Sequence, residues 1–215
     1  VKSCKTGLFV QRFSLLSIYH NELRNRMDDA RLIIACKKQD RDAQRALYER
    51  YAPTMMAVCL RYCREEETAR DLLHDGFIRV FTKIGSYKGK GSFEGWLRRI
   101  FVNLALEHYR EEKQKVKFMD EYGYLSSNEV ELQEDDLLDI GDIPRAEVLE
   151  MIRSLPPGYR TVFNLFIFEE MSHKEIAREL GINEAASRSQ FFRAKSLLQK
   201  KILTILSKNQ RIQIQ

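Results

Sequence analysis

Residues 171–201 read MSHKEIARELGINEAASRSQFFRAKSLLQKK. Ser172 and Glu175 stand at capping-box spacing, in which the hydroxyl accepts from an N–H of the first turn and the carboxylate reaches back to the cap, so a helix starts at His173. Ile176, Ala177 and Leu180 recur on one face of that helix, and the small Ala177 admits a second helix at close range. Gly181 supplies a left-handed residue after the last turn, Ile182 plugs the corner, and Asn183 caps the helix that comes next. The pattern predicts a helix-turn-helix. Its second helix lays Glu184, Ala185, Arg188 and Ser189 where a major groove is read, with Arg193, Lys195, Lys200 and Lys201 within reach of phosphates.

On the N-terminal side, residues 145–154 form a short amphipathic helix through Val148, Leu149 and Ile152. Pro156-Pro157-Gly158 breaks it, and residues 159–169 continue as an apolar helix at the centre of a small domain. The segment 116–144 differs in kind: nine acidic residues face a single Lys117, and Gly123, Ser126, Ser127, Asn128 and Gly141 lie among them. Such a stretch cannot bury a core and reads as a flexible acidic linker. It separates two basic blocks, so the whole-chain charge of +5 conceals an alternation along the sequence.

Residues 27–115 form the other domain. Helices are expected over 28–63, with Pro53 starting a new turn or kinking the chain, and over 68–84. In the latter, Leu73, Phe77, Val80, Phe81 and Ile84 form the apolar stripe, while Arg70, Asp71, His74, Asp75 and Arg79 lie off it. A glycine-rich loop spans 85–92, and Ser92 opens a further helix. Its Leu97, Ile100, Phe101 and Leu104 pack inward; Arg98, Arg99, Asn103, Glu107 and Arg110 face out. The loop glycines lack the spacing of a phosphate-binding loop. Tyr87, Phe93 and Trp96 interleave instead with Lys88, Lys90, Arg98 and Arg99, pairing flat rings for unstacked bases with charge for phosphates. Packed core is the competing place for Phe93 and Trp96.

The 215 residues include only 10 Gly and 4 Pro, too few turn signals for a sandwich or barrel, so the chain is expected to be all-α: two small helical domains on an acidic flexible linker. Cys4, Cys36, Cys59 and Cys63 contain no CxxC pair and read as reduced core thiols; Cys59 and Cys63, at i,i+4, lack the second ligand pair that zinc needs. No cofactor or metal is expected. His20, His74, His108 and His173 are scattered, and no nucleophile–base signature appears, which argues against an enzyme. Residues 1–26 make a poor signal peptide and read as an extension or a start-site artefact ahead of Met27; residues 208–215 are a tail.

ETARDLLHDGFIRVFTKIGSYKGKGSFEGWLRRIFVNLALEHYR, residues 67–110, resembles the second conserved domain of bacterial extracytoplasmic-function sigma factors of the sigma-70 family. LPPGYRTVFNLFIFEEMSHKEIARELGI and, after it, SRSQFFRAKSLL resemble their fourth domain. The resemblance implies a cytoplasmic, non-catalytic transcription factor that binds core RNA polymerase through the β′ clamp helices and β flap. It also implies promoter DNA as partner and an anti-sigma protein as inhibitor. It assigns Asp71, His74 and Asp75 to polymerase docking and Tyr87, Lys88, Phe93, Trp96, Arg98, Arg99 and Asn103 to melting and holding the −10 element. Ser172, Lys174, Glu184, Ala185, Arg188, Ser189 and Arg193 fall to the −35 element. The linker, by the same resemblance, runs through the RNA path of the polymerase. Two departures stand out. His74 and Asp75-Gly76 replace the Gln and Glu-Thr or Glu-Ala frequent in the family, and Ala185-Ala186-Ser187 replaces a Gly-Thr-Val that opens the recognition helix. The alternative is a helix-turn-helix repressor or activator that is no polymerase subunit.

Overall fold

The computed structural model describes residues 29–119 and 143–212, with side chains over 29–113 and 143–207. The extension, most of the acidic linker and the end of the tail lie outside the described residues. Every regular element among those described is helical. Helix α1 covers residues 29–37 of the described chain, and after it come α2 (Arg41–Tyr62), α3 (Glu66–Lys83), a 3₁₀ turn (Ile84–Ser86) and α4 (Phe93–Met119). Beyond the linker stand α5 (Arg145–Arg153), α6 (Pro157–Ile167), α7 (His173–Leu180) and α8 (Glu184–Ile212).

Local signals set most of these ends. Glu66 and Glu67 in the first turn of α3 and Lys83 in its last complement the helix dipole. Ser92 accepts at Oγ from Gly95 N at 3.0 Å, which caps α4 as its sequence implies. Three boundaries differ from those the sequence predicts. Pro53 neither starts nor ends an element, because α2 runs through it unbroken. Pro53 and Glu49 are both exposed, so the carbonyl that loses its donor meets water. Pro157 belongs inside α6 as its first residue, where the missing N–H costs nothing, while Pro156 occupies the cap. Helix α4 also continues to Met119, past the first residues assigned to the linker.

Packing divides the described residues into two compact units: those up to Met55 with Asp75–Ile100, and Met56–His74 with those from Phe101 onward. In the first, Leu47, Met55, Val80, Ile84 and Leu97 are fully buried. In the second, Val58, Cys59, Phe101 and Leu106 are buried, as are Val162, Leu165 and Ile176. Ile143, Met151, Ile152, Leu155, Ala194, Leu198 and Ile202 form a cluster that seats α5 against α8. The off-stripe residues of α3, Arg70, Asp71, His74 and Asp75, are exposed as the periodicity requires, with Arg79 half-buried.

Cys36, Cys59 and Cys63 are buried free thiols. Burial pushes Cys59 up to about 12 and Cys63 to about 11, so neither is a thiolate near neutrality. Iodoacetamide at pH 7.5 should therefore leave these three unmodified in the native protein and label all three in denaturant, read by peptide mass spectrometry. Phe101→Ala, which empties a fully buried site, should cost about 3–5 kcal/mol in urea unfolding.

Candidate nucleic-acid interface

The helix-turn-helix is built by short-range hydrogen bonds. Ser172 N donates to Glu175 Oε2 at 2.8 Å and Glu175 N donates to Ser172 Oγ at 3.3 Å, closing the capping box at the start of α7. Donation from the Ser172 hydroxyl, and then from its N–H, holds the Glu175 carboxyl below its ordinary pKa. Gly181 sits at φ 63°, ψ 39°, and Ile182 N donates to Ala177 O at 3.0 Å. This left-handed residue lets the chain reverse within three residues. Asn183 Oδ1 then accepts from Ala186 N at 2.6 Å and starts α8.

The first turns of α8 carry the predicted base-reading face. Ala185, Arg188 and Ser189 are exposed, as is Lys174 on α7. Glu184 is half-buried and pairs with Arg188 at 2.5 Å across one turn. Such an exposed pair is worth roughly 0–1 kcal/mol, so Arg188 exchanges Glu184 for a base or phosphate at small cost. Arg193, also exposed, donates to Tyr159 Oη at 3.2 Å. The Ser172 hydroxyl is engaged in the cap, donating to Glu175 Oε2 at 2.6 Å.

Ser187, the last residue of the Ala185-Ala186-Ser187 departure, is 0% exposed. Its hydroxyl lies 2.9 Å from His173 Nδ1. The imidazole stacks on Phe166 at 4.6 Å and meets Phe191 edge-on at 5.7 Å. The polar substitution in the core thus comes with its partner from α7, as burial of a hydroxyl demands. Nothing at Ser187 alone identifies that partner in the sequence. Desolvation, then the nearby Arg188 charge, lower the His173 pKa.

In the first unit, the loop after α3 folds around Tyr87. Its ring packs 5.1 Å from Phe93 and 5.4 Å from Trp96, and Phe93 stacks on Trp96 at 5.5 Å. Tyr87 Oη donates to Gly91 O at 3.1 Å, and Gly89 and Gly91 take positive φ of 73° and 78° to let the loop turn back. Lys37 from α1 donates to Tyr87 O at 2.7 Å, a tether that the loop sequence does not announce. Together α1, α2 and the loop frame a groove of ≈ 950 Å³ lined by Lys37, Tyr51, Tyr87, Lys88, Phe93 and Glu94 among others. Phe93 is buried, while Tyr87 and Trp96 are both half-buried and keep part of their rings open to solvent. Lys88, Arg99 and Asn103 are exposed and Arg98 half-buried. Arg99 and Asn103, at i,i+4, share one face of α4. Asp71, His74 and Asp75 line an exposed face of α3, and Ile78, 53% exposed, continues that face one turn on.

Residues 47–115 match the family model described as sigma-70 region 2, and residues 145–198 the one described as sigma-70, region 4. The RNA polymerase sigma-H factor of Pseudomonas aeruginosa is 26% identical over 188 residues, which is 83% of this chain and 95% of that one. The ECF RNA polymerase sigma-E factor of Haemophilus influenzae is 26% identical over 200 residues, covering 86% and 100% respectively. Among solved structures, the sigma factor RpoE in complex with the anti-sigma factor NepR from Bartonella quintana aligns with a TM-score of 0.43 at 19% identity. That alignment covers 75% of this chain and 96% of the other.

The lowered pKa of His173 has a thermodynamic consequence. A histidine whose folded-state pKa lies below its unfolded value of about 6.5 contributes stability that is present above that value and lost as pH falls through the folded one. The thermal midpoint should fall between pH 7 and 5.5 more steeply in the native protein than in His173→Gln; equal slopes would contradict this origin of the shift.

Proposed function

The chain belongs to the extracytoplasmic-function group of the sigma-70 family, and from that premise we propose how its side chains share the work. Sigma factors are non-enzymatic subunits that bind RNA polymerase and direct it to promoters, and this chain does the same through a region 2 and a region 4 domain. Its place of action is the cytoplasm, where polymerase works; among the described residues no helix is long and apolar enough to cross a membrane.

Region 4 reads the −35 element. The observation that carries this is the capped helix-turn-helix with Ala185, Arg188 and Ser189 exposed at the start of α8, the geometry in which a recognition helix presents its N-terminal side chains to base edges. Lys174, Glu184 and Arg193 flank that face, and Ser172 serves it by fixing the start of α7. Replacement of Gly-Thr-Val by Ala185-Ala186-Ser187 gives this factor its own register of base contacts.

Region 2 docks on the β′ clamp helices through Asp71, His74 and Asp75, and opens the −10 element. Melting needs a place for an unstacked base, whose extrusion costs a few kcal/mol. Tyr87 and Trp96 supply ring faces, Asn103 an amide, and Lys88, Arg98 and Arg99 charge for the strand. Phe93 backs the rings. The acidic segment between the regions is proposed to occupy the RNA path, the β flap to seat region 4, and an anti-sigma protein to restrain the factor. A stand-alone helix-turn-helix regulator has no use for a region 2 domain, which is why the sigma reading is preferred.

Tyr87→Ala and Asn103→Ala should each lower promoter opening about 5- to 100-fold, the loss of one stacking or pocket contact of roughly 1–3 kcal/mol. Permanganate reactivity of unpaired thymines reads opening, and co-purification with core reads docking, which should be unchanged. Equal loss of both would contradict the base-holding role. Arg188→Ala should cost about 1–3 kcal/mol of discrimination between −35 sequences in a binding assay; a uniform loss across sequences would place Arg188 on phosphate alone.

A further inference from the structure

We propose that His173, a residue of α7 that reads no base itself, is the positioning residue for Arg188: its hydrogen bond with Ser187 holds the rotation of α8 about its own axis so that the Arg188 guanidinium meets a guanine. This role rests on the assignment of Arg188 to the −35 element.

Inner and outer faces of α8 turn together. Ala185, Arg188 and Ser189, all exposed, fall within a sector of about 100° around the helix, and Ser187 lies on the far side at 0% exposure. Any roll that moves Ser187 moves Arg188 through the same angle. Much of the inner face is apolar: Phe191 lies 4.4 Å from Phe166 and 6.0 Å from Phe163, and Ala194 is fully buried. Burial of apolar surface has no preferred direction and tolerates sliding. A hydrogen bond does not, because it weakens steeply with angle. The bond between Ser187 Oγ and His173 Nδ1, at 2.9 Å, is such a directional tie between the first turns of α8 and α7.

The His173 end of the tie is itself held. His173 follows Ser172, whose capping box with Glu175 fixes the start of α7. Its ring lies nearly parallel to Phe166, at 4.6 Å and 17°, and edge-on to Phe191, at 5.7 Å and 62°. A ring held on two sides cannot swing to follow Ser187, so Ser187 must stay where Nδ1 is. Gly181 and the turn after it set where α8 begins, but each turn residue keeps its soft φ and ψ. The tie then sets how far α8 is rotated.

Small rotations matter at the outer face. Side chains extend roughly 5–6 Å from a helix axis, so a roll of about 10° shifts an outer atom by about 1 Å. A binding constellation works when its groups are held within about 0.5 Å. Arg188 gains no fixed reference from Glu184, its 2.5 Å partner, because Glu184 belongs to the same helix and rolls with it. The base that suits an arginine fork is guanine, whose O6 and N7 must both lie in reach at once. A phosphate accepts a guanidinium from many more directions and carries no sequence information. Loss of the tie should therefore turn a base contact into a phosphate contact, lowering preference while affinity stays.

Core polymerase carrying the full chain, offered a pool of duplexes randomised through the upstream region, reports base preference position by position when the bound DNA is sequenced. With the native sequence, one guanine position should relax on Arg188→Ala. Ser187→Ala should relax that same position about 5-fold or more and leave the other positions and the total DNA bound unchanged. His173→Phe, which keeps a ring against Phe166 but has no Nδ1, should do the same. The double variant should lose no more than either single one, as two ends of one bond require. A bond that served stability alone would lower all sequences together; that uniform loss, or a guanine position unmoved by both variants, would overturn the positioning role. Circular dichroism confirms that each variant is folded at the temperature of selection, and His173→Phe carries the test should Ser187→Ala not fold. A native pool with no position sensitive to Arg188→Ala removes the −35 assignment and the positioning role with it, whereas a sensitive position that both inner variants leave alone removes the positioning role only.

Discussion

The angle at which α8 leaves α7 is fixed by one backbone conformation, the left-handed Gly181, and every side chain proposed to face DNA in region 4 inherits its position from that turn. A side chain at φ 63° would be strained although the space around Gly181 is open, so backbone conformation and not crowding restricts the position. Around the turn, Asn183 caps α8 and Ser172 with Glu175 caps α7, so both helices are fixed at their starts. Phe166 of α6 stacks on His173 and lies tilted against Phe191, so it bridges α7 and α8, with the Ser187 hydroxyl bonded to His173. Arg188 lies one residue beyond Ser187, so the reach proposed for it toward a groove is set by buried chemistry on its inner neighbour.

The role proposed for region 2 sets a different problem, since holding melted DNA needs a shaped loop and not a rigid helix face. Gly89 and Gly91 let the loop close over the ring cluster, and Lys37 ties the loop backbone to α1. The hydrogen bond from Tyr51 Oη to Asp29 Oδ2 at 2.6 Å, with Arg50 on the same carboxylate, anchors α1 to α2 beneath. On the proposed reading, a base entering beside Tyr87 would meet a preorganised wall, which lowers the ordering cost of binding.

Features encoded within a few residues are legible in the sequence. The capping box at Ser172, the turn at Gly181, the cap at Ser92 and the apolar stripe of α3 all depend on spacings of three or four residues, and all stand where the spacing puts them. Features that depend on distant partners are not legible in this way. Pro53 suggests a break, yet α2 continues through it because the carbonyl it leaves without a donor lies on an exposed face. Ser187 suggests a lost core contact, yet His173, fourteen residues earlier, completes it. The carbonyl of Arg61 at the end of α2 and that of Arg64 just beyond it are met by Asn164 and Arg153, 103 and 89 residues away, a pairing no local pattern encodes. Phe93 and Trp96 share a composition signal that fits both core and nucleic-acid contact, and only their burial separates them.

Charge along the chain acquires meaning in the same way. The basic blocks hold the two candidate DNA faces, and the acidic segment lies between them in sequence. The most direct test is transcription by purified core polymerase with and without this protein on a pool of genomic templates, with sequencing of RNA 5′ ends. A promoter-specificity subunit creates new start sites that appear only with the protein and share two upstream elements at −10 and −35, and that is the result expected here. A protein that binds DNA but neither associates with core nor creates such start sites would contradict it.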